Sequence, residues 1–270
     1  MNREKLIEEI RRKGTFLCVG LDPDTEKIPE HFLHADDPIY EFNKAIIDAT
    51  ADYCVAFKPN AAFFEAYGLS GLESMDKTFR YIRHNYPDHF LIADAKRGDI
   101  GNTSTMYAKA FFSRMNAHAV TVSPYMGKDS VSPFLDFDGM WTVVLALTSN
   151  PGSADFQKLV IDGKPLYMHV MDQCMRWGTE NNLMFVVGAT HAETIGEIRK
   201  SVPNHFLLIP GVGTQGGSLS EVCKYGLNKD IGLLINASRS IIYASKGADF
   251  AEAARNEARQ LAEEMKTYIN

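Results

Sequence analysis

The chain has 270 residues, 45% of them apolar and 23% charged, which supports a sizeable packed core and excludes a disordered or low-complexity chain. Acidic residues outnumber basic ones, 34 to 28, and the net charge of -6 argues against nonspecific nucleic-acid binding while leaving room for a local cationic pocket that takes a small anion. No apolar run approaches membrane-spanning length, the charge-dense start carries no apolar signal segment, and the four cysteines (Cys18, Cys54, Cys174, Cys223) form no C-x-x-C pair, so a reducing cytoplasm and no membrane partner are expected.

Residues 3–13 place Leu6, Ile7 and Ile10 at helical spacing and predict a leading amphipathic helix that Gly14 stops. Thr15 to Asp24 then reads as a strand ending in acid, and a helical pattern over 38–51 leads to a strand, Tyr53 to Asn60, that ends in Lys58. A helix over 71–86 feeds the run Phe90-Leu-Ile-Ala-Asp94-Ala-Lys96-Arg-Gly-Asp99, apolar at first and abruptly charged at its end. Over 103–115, Met106, Tyr107, Ala110 and Phe111 share one helical face and are expected in the core. Strand-like runs follow at 117–123, 141–148, 183–189, 205–210 and 232–237, separated or followed by helical patterns at 165–180, 191–200, 217–225 and 247–267. Eight strands alternating with helices, with no linker or composition break, predict an α/β fold: a single (β/α)8 TIM barrel over residues 1–270 with a leading N-terminal helix. Segment 149–163 is the longest stretch without periodicity and is a candidate lid.

Barrel chemistry lies at the carboxyl ends of the strands, and those ends carry Asp22, Lys58, Asp94, Lys96, Ser123, Ser149, Thr190 and Gln215. Side chains alternate along a strand, so Asp94 and Lys96 share a face. A lysine held between two carboxylates, Asp94 and Asp99, keeps its ammonium form and serves as a proton donor rather than a nucleophile. The run Gly211-Val-Gly213-Thr-Gln215-Gly216 contains a G-x-G-x-x-G, but it follows the seventh strand, and the eighth ends in Asn236-Ala-Ser-Arg239 rather than an acid. A phosphate site built from the loops after strands 7 and 8 is therefore expected, with Arg239 as a bidentate partner. No metal-ligand spacing is evident. Proton transfer and electrostatics at a phosphorylated small molecule is the chemistry this pattern implies.

These motifs resemble those of the orotidine 5'-monophosphate decarboxylase family, from Leu21-Asp22-Pro23 to Arg239-Ser240-Ile241. The likeness rests on Asp94-Ala-Lys96-Arg-Gly-Asp99 with trailing Thr103, Phe57-Lys58-Pro-Asn, Ser149-Asn-Pro-Gly152, Pro210-Gly-Val-Gly-Thr-Gln215-Gly-Gly and Arg239-Ser-Ile. The resemblance implies conversion of orotidine 5'-monophosphate to UMP and carbon dioxide, the last step of de novo UMP synthesis, with neither metal nor organic cofactor. It also implies roles. Lys96 would protonate C6, Asp94 would lie against the departing carboxylate, and Lys58 would hold the charge network. Asp22 would contact the ribose, Ser149 the pyrimidine amide, and Gln215 and Arg239 the phosphate. Asp99 and Thr103 would reach the partner's site in a homodimer with shared active sites. Ser238 stands where many members have glycine. The alternatives are a metal-assisted enzyme acting on sugar phosphates, which usually has an acid where Lys58 stands, and a noncatalytic nucleotide-binding barrel, which would lose the proton donor.

Overall fold

Each of the eight apolar runs forms a parallel strand in a computed structural model that describes residues 1–189, 192–212 and 217–269. The strands are β1 (Leu17–Leu21), β2 (Ala56–Pro59), β3 (Phe90–Arg97), β4 (Ala119–Val122), β5 (Trp141–Leu147), β6 (Leu183–Val187), β7 (Phe206–Pro210) and β8 (Leu233–Ala237). Each pairs with the next in sequence, and β8 pairs with β1 to close the barrel. Strands covered on both faces need no polar alternation, and every residue of β1, β2, β4, β6 and β8 is buried.

The first helix, α1 (Arg3–Lys13), starts on an Asn2 cap that accepts the Lys5 N–H and stops at Gly14, whose left-handed backbone (φ 65°) lets its N–H reach Ile10. It lies across the amino ends of the strands. Trp141, which opens β5, donates its indole N–H to the Met1 carbonyl, and Arg3 pairs with Asp230 just before β8. A second helix, α2 (Pro38–Thr50), begins with Pro38 behind an Asp37 cap.

Four details depart from the sequence reading. A helix over Lys128–Leu135 links β4 to β5 and was not foreseen, because it spans eight residues interrupted by Pro133 and shows too little periodicity. A further short helix, Arg239–Ile242, follows β8. Within 149–163 lies a 3-10 turn, Pro151–Ala154, and then Val160–Ile161, which pairs antiparallel with Lys164–Pro165, too short to alternate visibly. Met106 is 57% exposed rather than core, since its helix buries Ser104 and Ala108, and a residue two positions on from Ser104 points the opposite way. Among the described residues, no helix is long and apolar enough to cross a membrane.

Candidate active site

The third strand does not run regularly to its end. Its ladder with β4 pairs Ala93 with Val120 and then Arg97 with Val122, so Asp94, Ala95 and Lys96 face Thr121 alone. Such a bulge re-aims side chains, and here Lys96 takes a φ of 46°, a left-handed conformation uncommon outside glycine. Its ammonium lies 2.6 Å from Asp94 Oδ1, while Lys58 Nζ, from β2, donates to Asp94 Oδ2 at 2.6 Å. The carboxylate therefore sits between two ammoniums. The sequence pattern suggested the converse, with Lys96 between Asp94 and Asp99. Beyond Gly98 the chain has turned, and Asp99 Oδ1 accepts the Ile100 N–H at 2.7 Å instead.

Burial would push the Asp94 carboxyl up, but Lys58 and Lys96 outweigh it and hold the group at about 2. Burial would likewise lower the Lys58 ammonium. The Asp94 and Asp22 charges win there too, and its pKa is raised. Lys58 and Asp94 are buried as a pair, whereas the Lys96 side chain is 51% exposed and open to the mouth of the barrel. Asp94 thus stays ionised at neutral pH beside two cations, one fixed and one accessible.

Asp22, one residue past β1, forms the next part of the mouth. Its Oδ2 accepts the Ser238 hydroxyl at 2.6 Å, while Oδ1 is buried and unpaired among the described residues. The buried Asn236 Oδ1 is likewise unpaired there. Unsatisfied buried acceptors are costly, so both are suited to the hydroxyl donors of a ligand. A Cβ on Gly20 would come within 2.7 Å of Ser238 Cβ, so only glycine lets the ends of β1 and β8 approach this closely. Tyr243 fastens the same loop by donating to the Asp22 carbonyl (2.7 Å) and accepting the Asp24 N–H (2.8 Å).

The remaining expected residues surround this mouth. Arg239 is exposed at the start of the helix after β8. Ser149, also exposed, follows β5 beside Gly188, where a Cβ would meet its own at 2.8 Å. Thr103 is exposed on the helix Gly101–Ala108, and Asp99 is half-buried before it. Gln215 and Thr190 lie outside the described residues. On either side of the undescribed residues 213–216, the Gly217 N–H donates to Gly211 O at 2.8 Å, and Gly217 packs so tightly on Ala189 that a Cβ would lie 2.3 Å from its carbonyl oxygen. Thr121 and Tyr243 escaped the sequence reading. Thr121 sits in a run that reads as an ordinary buried strand, and Tyr243 lies between the last strand-like run and the last helical pattern, where no element is expected.

A closed parallel barrel with a charged cluster at the carboxyl ends of β1, β2 and β3 defines a (β/α)8-barrel enzyme. Residues 15–255 match the Orotidine 5'-phosphate decarboxylase / HUMPS family, and the chain belongs to it. It is 62% identical over 270 residues to an orotidine 5'-phosphate decarboxylase of Flavobacterium johnsoniae, covering 100% of this chain and 99% of that one. It is 56% identical over 266 residues to a Bacteroides fragilis protein of the same name, covering 98% and 97%. Among solved structures, Leishmania donovani OMP decarboxylase superposes with a TM-score of 0.84 at 36% identity, covering 99% of this chain and 98% of that one.

Proposed function

We infer that this chain is an orotidine 5'-phosphate decarboxylase, converting orotidine 5'-monophosphate to UMP and carbon dioxide at the end of de novo UMP synthesis, without metal or organic cofactor. The observation that carries this reading is the Lys58–Asp94–Lys96 network at the barrel mouth in a chain of this family. The bond from C6 to the carboxylate breaks, its electron pair stays on C6, and carbon dioxide departs. Lys96 then gives a proton to C6 and is left as a neutral amine, to be reprotonated from water. The pair on C6 has little resonance relief, so an adjacent ammonium is the stabiliser the step requires. Asp94 lies against the substrate carboxylate and is kept ionised by Lys58.

Asp22 holds the ribose through its unpaired oxygen, Ser149 reads the pyrimidine amide, and Gln215 and Arg239 grip the phosphate. Binding of that distant phosphate closes segment 149–163 over the site. Asp99 and Thr103 serve the neighbouring subunit of a cytoplasmic homodimer. A metal-assisted reaction on a sugar phosphate fits less well, because the Lys58 ammonium occupies the place where such an enzyme would need an acid. Decarboxylation followed by absorbance in EDTA tests the reading. Turnover supports it, and turnover only after magnesium is restored would favour the sugar-phosphate branch.

A further inference from the structure

Thr121 is the single residue of β4 that faces the three-residue bulge in β3, and it is 1% exposed. Its hydroxyl oxygen accepts the Lys96 backbone N–H at 2.9 Å, and its proton is directed to Asp94 Oδ1 at 3.1 Å. A hydroxyl carries one proton and two lone pairs, so both bonds form together. The bulge takes Lys96 out of the ladder with β4, and a buried N–H left without a partner there is costly. Thr121 supplies what the ladder lacks.

We propose that Thr121 is a positioning residue of the decarboxylation, its hydroxyl clamping the left-handed Lys96 backbone to the Asp94 carboxylate and so fixing where the ammonium delivers its proton. The inference rests on the decarboxylase reading. The φ of 46° at Lys96 is strained, and such a conformation persists only where neighbours over-determine it. Of the two bonds that hold Lys96 to this corner, one comes from its own Nζ to Asp94 and the other from its N–H to Thr121. Without the second, the Lys96 ammonium still pairs with Asp94, but the backbone that carries its flexible stem is no longer fixed. Small displacements of a reacting group cost rate far more than affinity.

The test compares the parent with Thr121→Val, which keeps shape but loses the hydroxyl, and Thr121→Ser, which keeps the hydroxyl. The expected result is a kcat lowered about 10- to 100-fold in Thr121→Val, with KM and inhibition by UMP within about threefold, and kcat restored to within about threefold in Thr121→Ser. Amide exchange of a peptide spanning 94–98 should quicken in Thr121→Val alone. Should Thr121→Val not fold, Thr121→Ala against Thr121→Ser carries the same comparison. A Thr121→Val enzyme within about twofold of the parent, or a Thr121→Ser enzyme as slow as Thr121→Val, overturns the inference, the latter because the methyl rather than the hydroxyl would then matter. An inactive parent instead overturns the decarboxylase reading and this inference with it.

Discussion

Asp94 holds two ammoniums whose surroundings differ, and that difference separates stability from catalysis. Lys58 is buried, so Asp94→Asn leaves a charge uncompensated and should destabilise the fold by about 3–5 kcal/mol as well as abolish turnover. Lys96 is half exposed, and Lys96→Ala should cost about 1 kcal/mol or less while abolishing turnover. Urea unfolding beside a decarboxylation assay distinguishes the two. At the mouth between β1 and β8, the Ser238 hydroxyl is the only donor to the Asp22 carboxylate among the described residues. Ser238→Ala removes a bond worth about 1 kcal/mol and should raise KM about fivefold with kcat near the parent. Arg239→Ala should lower kcat/KM about 10- to 100-fold and reduce kcat itself if, as proposed, phosphate binding drives closure. Steady-state kinetics of both variants checks this. Asp22, Lys58, Asp94 and Lys96 were legible in sequence because each breaks an apolar run. Thr121 was not, since a threonine suits a buried strand and its role depends on a register shift that no local pattern encodes.

Elements with long periodic stretches were legible, and short or irregular ones were not. The closing helix, Phe250–Lys266, buries Phe250, Ala254, Ala258 and Met265 along one stripe and was evident from its spacing. The eight-residue helix after β4 and the two-residue antiparallel pair after β5 lack the repeats that would announce them. The segment after β5 is the proposed lid. Phe156 (61%), Val160 (66%) and Ile161 (47%) are exposed on it, and Phe156 approaches the ring of Tyr125, 84% exposed, at 6.4 Å. Gln157 ties the segment to its root by accepting the Thr148 N–H at 2.8 Å. A lid of this kind predicts that trypsin cleaves at Lys158 in the free enzyme and that saturating UMP slows this cleavage about tenfold or more. Equal cleavage with and without UMP would remove the lid from the account.

Across the whole molecule, buried histidines set the acid limit of stability. Burial, aided by Lys13, depresses His89 to about 4, and burial with Arg199 and Arg3 close by depresses His205 to about 4. Burial beside the terminal amine and Arg83 depresses His118 further. Unfolded, these rings take up protons below about pH 6.5 while the folded protein does not, so stability should fall as pH drops from about 6.5 to 4. Asp94 acts lower. Its depressed carboxyl contributes fully above about pH 4, and that contribution is lost as pH falls toward 2. Calorimetry should show the decline beginning near pH 6.5, and His205→Leu should make it shallower. Sedimentation at working concentration should give a dimer, because Asp99 and Thr103 lie beyond the turn that carries them away from Lys96; an active monomer would end the shared-site proposal. The central claim is cofactor-free decarboxylation with Lys96 as proton donor. It is tested most directly by assaying orotidine 5'-monophosphate turnover in EDTA for the parent and Lys96→Ala, with UMP binding measured on both. An active parent and a folded, UMP-binding but inactive variant are the predicted result; an inactive parent that still binds UMP, or a variant as fast as the parent, would contradict it.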